Sequence, residues 1–384
     1  RPWVLAAALV LITLLAYLPV MVSGGFVWDD DLHVLNNIIT RPRGLWRSWF
    51  STEQPNYWPV TWSVFWAEWK LFGTRPAGYH VVNVLVHAAN VLLLWRVLSR
   101  LALPGAWLAA LLFAVHPVNV ETAAWITQLK TLLSMLFFLA SLLLFLKSGP
   151  EADGMAEDAG SPFRRRALYG FSVVLFLVAM LAKPAVVTMP VVLLGIAWWK
   201  RGGIGRRDLL LSLPFFAVAG ALAVTEIWFQ YTQSIAGADV RSDSLAARLA
   251  GAGWVLGFYL SKALLPVNLM TIYPRWKIDA ASPLTWVPLL LAVAGAALLW
   301  RKRGTWGRPV LAGLGYFALT LAPVLGFLNI YYMRYSYVAD HYQYVSLPGV
   351  LALVAGGGAW LAGRLSDAGR RAAVGGAAVV VVLI

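Results

Sequence analysis

Apolar runs of roughly 17–25 residues, the length that crosses a hydrocarbon core, recur along this chain from end to end. They leave one class of fold. A backbone inside lipid has no water to bond with, so a long apolar run must close its hydrogen bonds within itself as a helix. The expectation is an all-α, polytopic membrane protein. Composition agrees: 12% of the 384 residues are charged, about half the ~25% of a soluble domain. No cysteine is present, so disulfides are excluded.

The first run covers residues 3–22 and is followed by a long polar stretch, 23–78. Further runs fall near 79–99, 105–117, 124–146, 167–182, 184–200, 209–229, 284–300, 309–329, 345–363 and from 372 onward. The chain opens on Arg1 and closes inside an apolar run, so it is expected to be part of a longer protein. The stretch 148–162 reads as a plain solvated connector.

A net charge of +14 invites a nucleic-acid reading. The cations argue otherwise, because more than half of the Lys and Arg sit in short loops on one side. Taking the N-terminus as cytoplasmic, these loops hold Arg96 and Arg100; Lys147 with Arg164–Arg166; Lys200, Arg201, Arg206 and Arg207; Arg301–Arg303 and Arg308; and Arg364, Arg370 and Arg371. That is the positive-inside pattern, which sets topology. The bilayer is the expected partner, and no nucleic acid is. Most of the carboxylates, including Asp29, Asp30, Asp31, Glu121 and Asp340, then fall on the outer face.

One run breaks the alternation. Residues 251–272 are apolar enough to cross, but a crossing there would reverse every later loop. Pro266, Lys262 and Asn268 interrupt it, so a re-entrant or partly buried segment is expected. The count is 11 crossings, or 12 if this segment also crosses. In the first outer loop, 23–78, Trp58, Trp62, Trp66 and Trp69 share one helical face, and Pro59 suits a first turn. Tryptophan favours the headgroup region, so a helix lying along the membrane surface is expected, with packing on other helices as the alternative.

The residues able to do chemistry gather at the outer face. Asp29, Asp30 and Asp31 are adjacent carboxylates, suited to general-base work or metal ligation, or simply to capping a turn. His116 and Glu121 flank a turn between two runs. Lys130 follows inside an apolar run, where a cation is costly and usually functional. Lys183 stands at an apex between two runs, placed either to hold an anion such as phosphate or to snorkel. Arg334, Asp340, His341 and Tyr342 share an aromatic loop, and His80 opens the second run. No Walker, dinucleotide-glycine, HExxH or GxSxG motif is present, which leaves nucleotide hydrolysis and the common peptidase and esterase chemistries unsupported. The set fits a site for a lipid-linked phosphate and a polar acceptor.

In this order and spacing the chain resembles the bacterial relatives of the TMTC O-mannosyltransferases, membrane glycosyltransferases of the GT-C class that carry TPR repeats. The residues that carry the resemblance are Phe26–Asp30 with Asn36 and Asn37; Tyr57–Thr61; Gly78–Ala88; His116–Val118 with Glu121 and Trp125; Ala182–Pro184; and Ala339–Tyr342 with Tyr344 and Pro348. Two positions depart from the family: His341 stands where it usually has Arg, and Thr131 follows Lys130 where it has Asp.

The resemblance implies a GT-C-type helical bundle over 1–384, with a TPR region beyond 384. It implies transfer of a sugar, mannose by family, from a polyprenyl phosphate to a hydroxyl of a protein acceptor at the periplasmic face of a bacterial inner membrane. Asp29 and Asp30 take the place of the family's paired acids as the base in an inverting displacement. Lys183, Arg334, His116 and His341 are the expected donor-phosphate ligands. Glu121, Asp340, His80, Lys130 and Tyr342 support them. A divalent cation, Mg or Mn, would be held by Asp29, Asp30 and Glu121. A secondary transporter and a non-catalytic membrane scaffold are the rival classes.

Overall fold

The computed structural model describes residues 1–149 and 161–365. The run expected from 372 onward and most of the 148–162 connector lie outside the described residues. Among the described residues there are helices and turns and no strand. The helices are α1 (Pro2–Ala16), α2 (Leu18–Ser23), α3 (Gly44–Phe50), α4 (Pro59–Phe72), α5 (Pro76–Arg100), α6 (Ala106–Val115), α7 (Asn119–Ala124), α8 (Leu129–Ser148), α9 (Pro162–Ala182), α10 (Met189–Arg201), α11 (Arg206–Phe229), α12 (Leu245–Leu264), α13 (Val287–Arg301), α14 (Gly307–Leu321) and α15 (Leu347–Ala362).

The chain is a multi-pass membrane protein. Among the described residues, five helical segments are long and apolar enough to cross a bilayer: Pro76–Arg100, Ile126–Ser148, Pro162–Ala182, Arg206–Ser234 and Pro283–Arg301. Other expected runs fold as shorter helices. α6, with ten residues, reaches about 15 Å at 1.5 Å per residue, half the hydrocarbon thickness. The reason is written in the sequence. Pro19, Pro104, Pro117, Pro184, Pro190 and Pro323 stand at the breaks, and a proline withdraws an N–H and disfavours helix in the residue before it.

α8 runs through the centre against α5 and α9. Ser141 of α8 and Ser172 of α9 each donate to the other's backbone carbonyl, at 2.6 and 2.7 Å. Two small hydroxyl residues let the helices approach closely while satisfying their polar atoms inside the bundle. Phe113, Phe138, Phe176, Phe215 and Tyr344 fill the surrounding core.

The 251–272 segment takes the partly buried of the two forms expected. It is no re-entrant loop: α12 is one continuous helix that ends before Pro266. At its first turn Arg248 donates to Gly326 O and Asn329 Oδ1, beyond the end of α14. At its last turn Ala263 O meets His116 Nε2 at 3.2 Å, beyond the end of α6. Both ends therefore lie toward the carboxylate face. α12 runs across that face.

The expected loop helix is α4. Trp58 and Trp62 are buried and Trp66 and Trp69 half-buried. Thr61 Oγ1 donates to Ala182 O at 2.8 Å. α4 thus docks on the end of α9 through the front of its tryptophan stripe.

Candidate active site

The site begins where the chain leaves α2. Gly24 packs so closely that a Cβ would lie 2.4 Å from Val20 O and 2.5 Å from His80 Nε2. His80 is buried there and does not line the cavity described below. The tight exit aims Trp28–Asp30 back at the turn before α8. Trp28 stacks on Trp125, with centroids 5.4 Å apart and planes 8° from parallel.

Asp29 and Asp30 then part company. Asp30 is fully buried, and its two oxygens accept from Val27 N at 2.8 Å and Thr127 N at 2.9 Å. Burial pushes its carboxyl up to about 6, against the pull of those two bonds. Asp29 faces a cavity of about 480 Å³ that Asp30 does not line, a size suited to a small ligand. Its Oδ1 accepts from Thr127 Oγ1 at 2.8 Å, and Lys130 Nζ stands 4.0 Å from Oδ2. Burial alone would raise the Asp29 carboxyl; Lys130, His33 and the Thr127 bond outweigh it and hold it below its ordinary value. Burial also pushes His33 down to about 4, so at neutral pH Lys130 is the charge that matters. Asp31 is exposed.

Two cations share the cavity wall. Lys130 lies under Trp58 and Trp125, 5.2 and 5.9 Å from their ring centroids. Lys183, at the break after α9, donates to Thr131 Oγ1 at 2.8 Å, and Ser134 Oγ donates to Lys183 O at 2.7 Å. His341 and Tyr342 also line the cavity. Glu121 lies behind them, accepting from His341 N at 2.9 Å. Its other oxygen is 3.2 Å from His341 Nδ1. Burial lowers the His341 ring despite Glu121, so it faces the cavity neutral. The far wall is apolar, formed by Ala223, Ile227, Val324, Leu328 and Val345.

The remaining expected residues are placed elsewhere. His116 is buried off the cavity, with its ring nitrogens on Ala263 O and Val118 N, and burial lowers it to about 4. Arg334 is exposed and lies over the rings of Tyr331 and Tyr335 outside the cavity lining. Asp340 accepts from Tyr273 OH at 2.9 Å behind the wall, and burial raises it to about 7.

The expected metal set does not assemble. Asp30 is committed to two N–H groups and Glu121 to His341. Among the described residues no three His, Asp or Glu side chains converge as ligands.

Sequence reading missed Glu226 of α11. It lines the cavity and accepts from Asn56 Nδ2 at 2.9 Å and Tyr57 N at 3.3 Å. The signal was present, since a lone carboxylate inside the 209–229 run marks a functional position by default.

A charged cavity at one face of an all-α membrane bundle is the class of site defined here. No protein-family model matches the chain, and no solved structure matches it. Curated relatives do. The chain is 34% identical over 156 residues to the protein O-mannosyl-transferase F38B6.6 of Caenorhabditis elegans, covering 36% of this chain and 22% of that protein. It is 35% identical over 158 residues to the human protein O-mannosyl-transferase TMTC4, covering 34% and 21%. With mouse TMTC4 the identity is 33% over 219 residues, 50% of this chain and 28% of the relative. The matched regions span less than a third of each of these relatives.

Proposed function

We propose that this chain forms the membrane-embedded transfer domain of a protein O-mannosyltransferase. It moves mannose from a polyprenyl phosphate to a Ser or Thr hydroxyl of a protein, at the periplasmic face of a bacterial inner membrane. The observation that carries the reading is a single cavity holding Asp29 beside Lys130 and Lys183 and continuing into an apolar wall. The relatives' names supply the sugar and the acceptor class.

Asp29 takes the hydroxyl proton as the acceptor oxygen attacks the anomeric carbon. The bond from that carbon to the phosphate oxygen breaks, and its electron pair leaves with the polyprenyl phosphate. One displacement inverts the configuration. A general base of this kind contributes about 10²–10⁴-fold. Lys183 receives the charge that grows on the phosphate, an electrostatic contribution that a preorganised donor makes without reorganising. Lys130 keeps Asp29 ionised, and the apolar wall takes the start of the lipid chain.

The test is transfer from labelled polyprenyl-phosphate mannose to a Ser/Thr-rich peptide by the reconstituted protein. Label should reach the peptide with inverted anomeric configuration and be lost in Asp29→Asn. Full transfer by a folded Asp29→Asn protein would overturn the assignment.

A further inference from the structure

The topology rule that accounts for cations on the opposite face leaves those on the carboxylate face unexplained. Arg41, Arg43, Arg47 and Lys70 all lie in the loop between α2 and α5. Arg47 is paired with Glu53 through two guanidinium–carboxylate bonds. Arg41, Arg43 and Lys70 form no ion pair among the described residues. They line a second recess, of about 770 Å³, whose remaining wall is largely aromatic and contains no carboxylate.

The recess is built in advance of any ligand. Gly44 lies so close to the preceding turn that a Cβ would stand 2.1 Å from Ile38 O. Asn37 and Gln54 exchange amide hydrogen bonds at 3.0 and 2.7 Å. Trp49 Nε1 donates to Ser63 Oγ at 2.9 Å, tying α3 to α4. Arg43 itself sits in the left-handed region, at φ 58°.

Its rim is apolar and open. Trp46 is 64% exposed, Phe50 65% and Leu71 75%, and the Trp46 and Phe50 rings lie 4.2 Å apart. Aromatic side chains beside Lys and Arg are the composition of a surface that rests at the headgroup level of a bilayer.

We propose that this recess binds the phosphate of an anionic phospholipid headgroup. Arg41, Arg43 and Lys70 meet the phosphate, and Trp46 and Phe50 enter the upper acyl region. Guanidinium groups suit a phosphate because their forked N–H groups meet two oxygens at once. The site is separate from the transfer cavity and independent of it.

Native mass spectrometry of the full chain, titrated with phosphatidylglycerol or phosphatidylcholine, tests this. The wild-type protein should retain phosphatidylglycerol about tenfold better, and the triple variant Arg41→Gln, Arg43→Gln, Lys70→Gln should lose that preference. Lys70→Gln alone, at an exposed position, should keep the wild-type melting temperature and still lose several-fold in retention. Unchanged preference in these variants overturns the proposal. So does displacement of the lipid by equimolar inorganic phosphate, which would make the recess a free-phosphate site, or by a short acidic peptide, which would make it a protein-docking site.

Discussion

Lys183 Nζ donates to Thr131 Oγ1 at 2.8 Å across the gap between the end of α9 and the start of α8. An ammonium carries three hydrogens, so two remain for an anion in the cavity. The hydroxyl fixes where they point.

Lys183→Met should therefore slow transfer by about 10²–10³-fold, the cost of removing one preorganised oxyanion donor. Thr131→Val leaves the charge and removes only its aim, so its loss should be smaller, roughly tenfold. Initial rates against donor concentration separate the two.

The adjacent aspartates should fail in different ways. Asp29→Asn should lower transfer about 10²–10⁴-fold with little change in melting temperature. Asp30→Asn turns an amide toward backbone N–H groups that need an acceptor, a loss of about 1–3 kcal/mol of stability. Thermal unfolding in detergent beside a rate assay distinguishes a missing base from a loosened loop.

Their pH responses also differ in sign. Asp29 must be ionised to act, and its carboxyl is held below the ordinary value, so the acid limb of the rate should fall below the usual carboxylate range. Lys130→Met should move that limb upward. Asp30, raised to about 6, keeps its proton while an unfolded chain, ordinary at ~3.9, has lost it. Its contribution to stability is full below that value and is lost as pH rises through about 6. Melting temperature against pH, with and without Asp30→Asn, reads this directly.

Glu226→Gln places an amide where Asn56 and Tyr57 both donate. The segment around residues 53–58 should come away from α11. Limited proteolysis should show faster cutting there, with transfer reduced about tenfold.

Much of this was legible in the sequence because lipid leaves few choices. Runs such as 79–99 and 124–146 became α5 and the Ile126–Ser148 segment within a few residues, since backbone bonding alone forces helix there. Tertiary placement was harder. α12 is apolar enough to pass for a crossing, and only its contacts at both ends reveal that it lies across one face. Asp29 and Asp30 are chemically identical in sequence. The turn that gives Asp30 to two N–H groups and Asp29 to the cavity depends on Thr127, nearly a hundred residues away. His116 reads as an ion-binding residue until Ala263 O is found against it. Glu226 was hidden for the opposite reason, as one acid within a run read only for its hydropathy.

Thr127 bonds Asp30 through its amide and Asp29 through its hydroxyl. The proposed base is thus set by the same residue that fastens the N-terminal loop to the centre of the bundle. On the reading proposed above, a copy whose first loop has not docked would lack a correctly placed base. Transfer by such a chain would then begin only once that loop is in place.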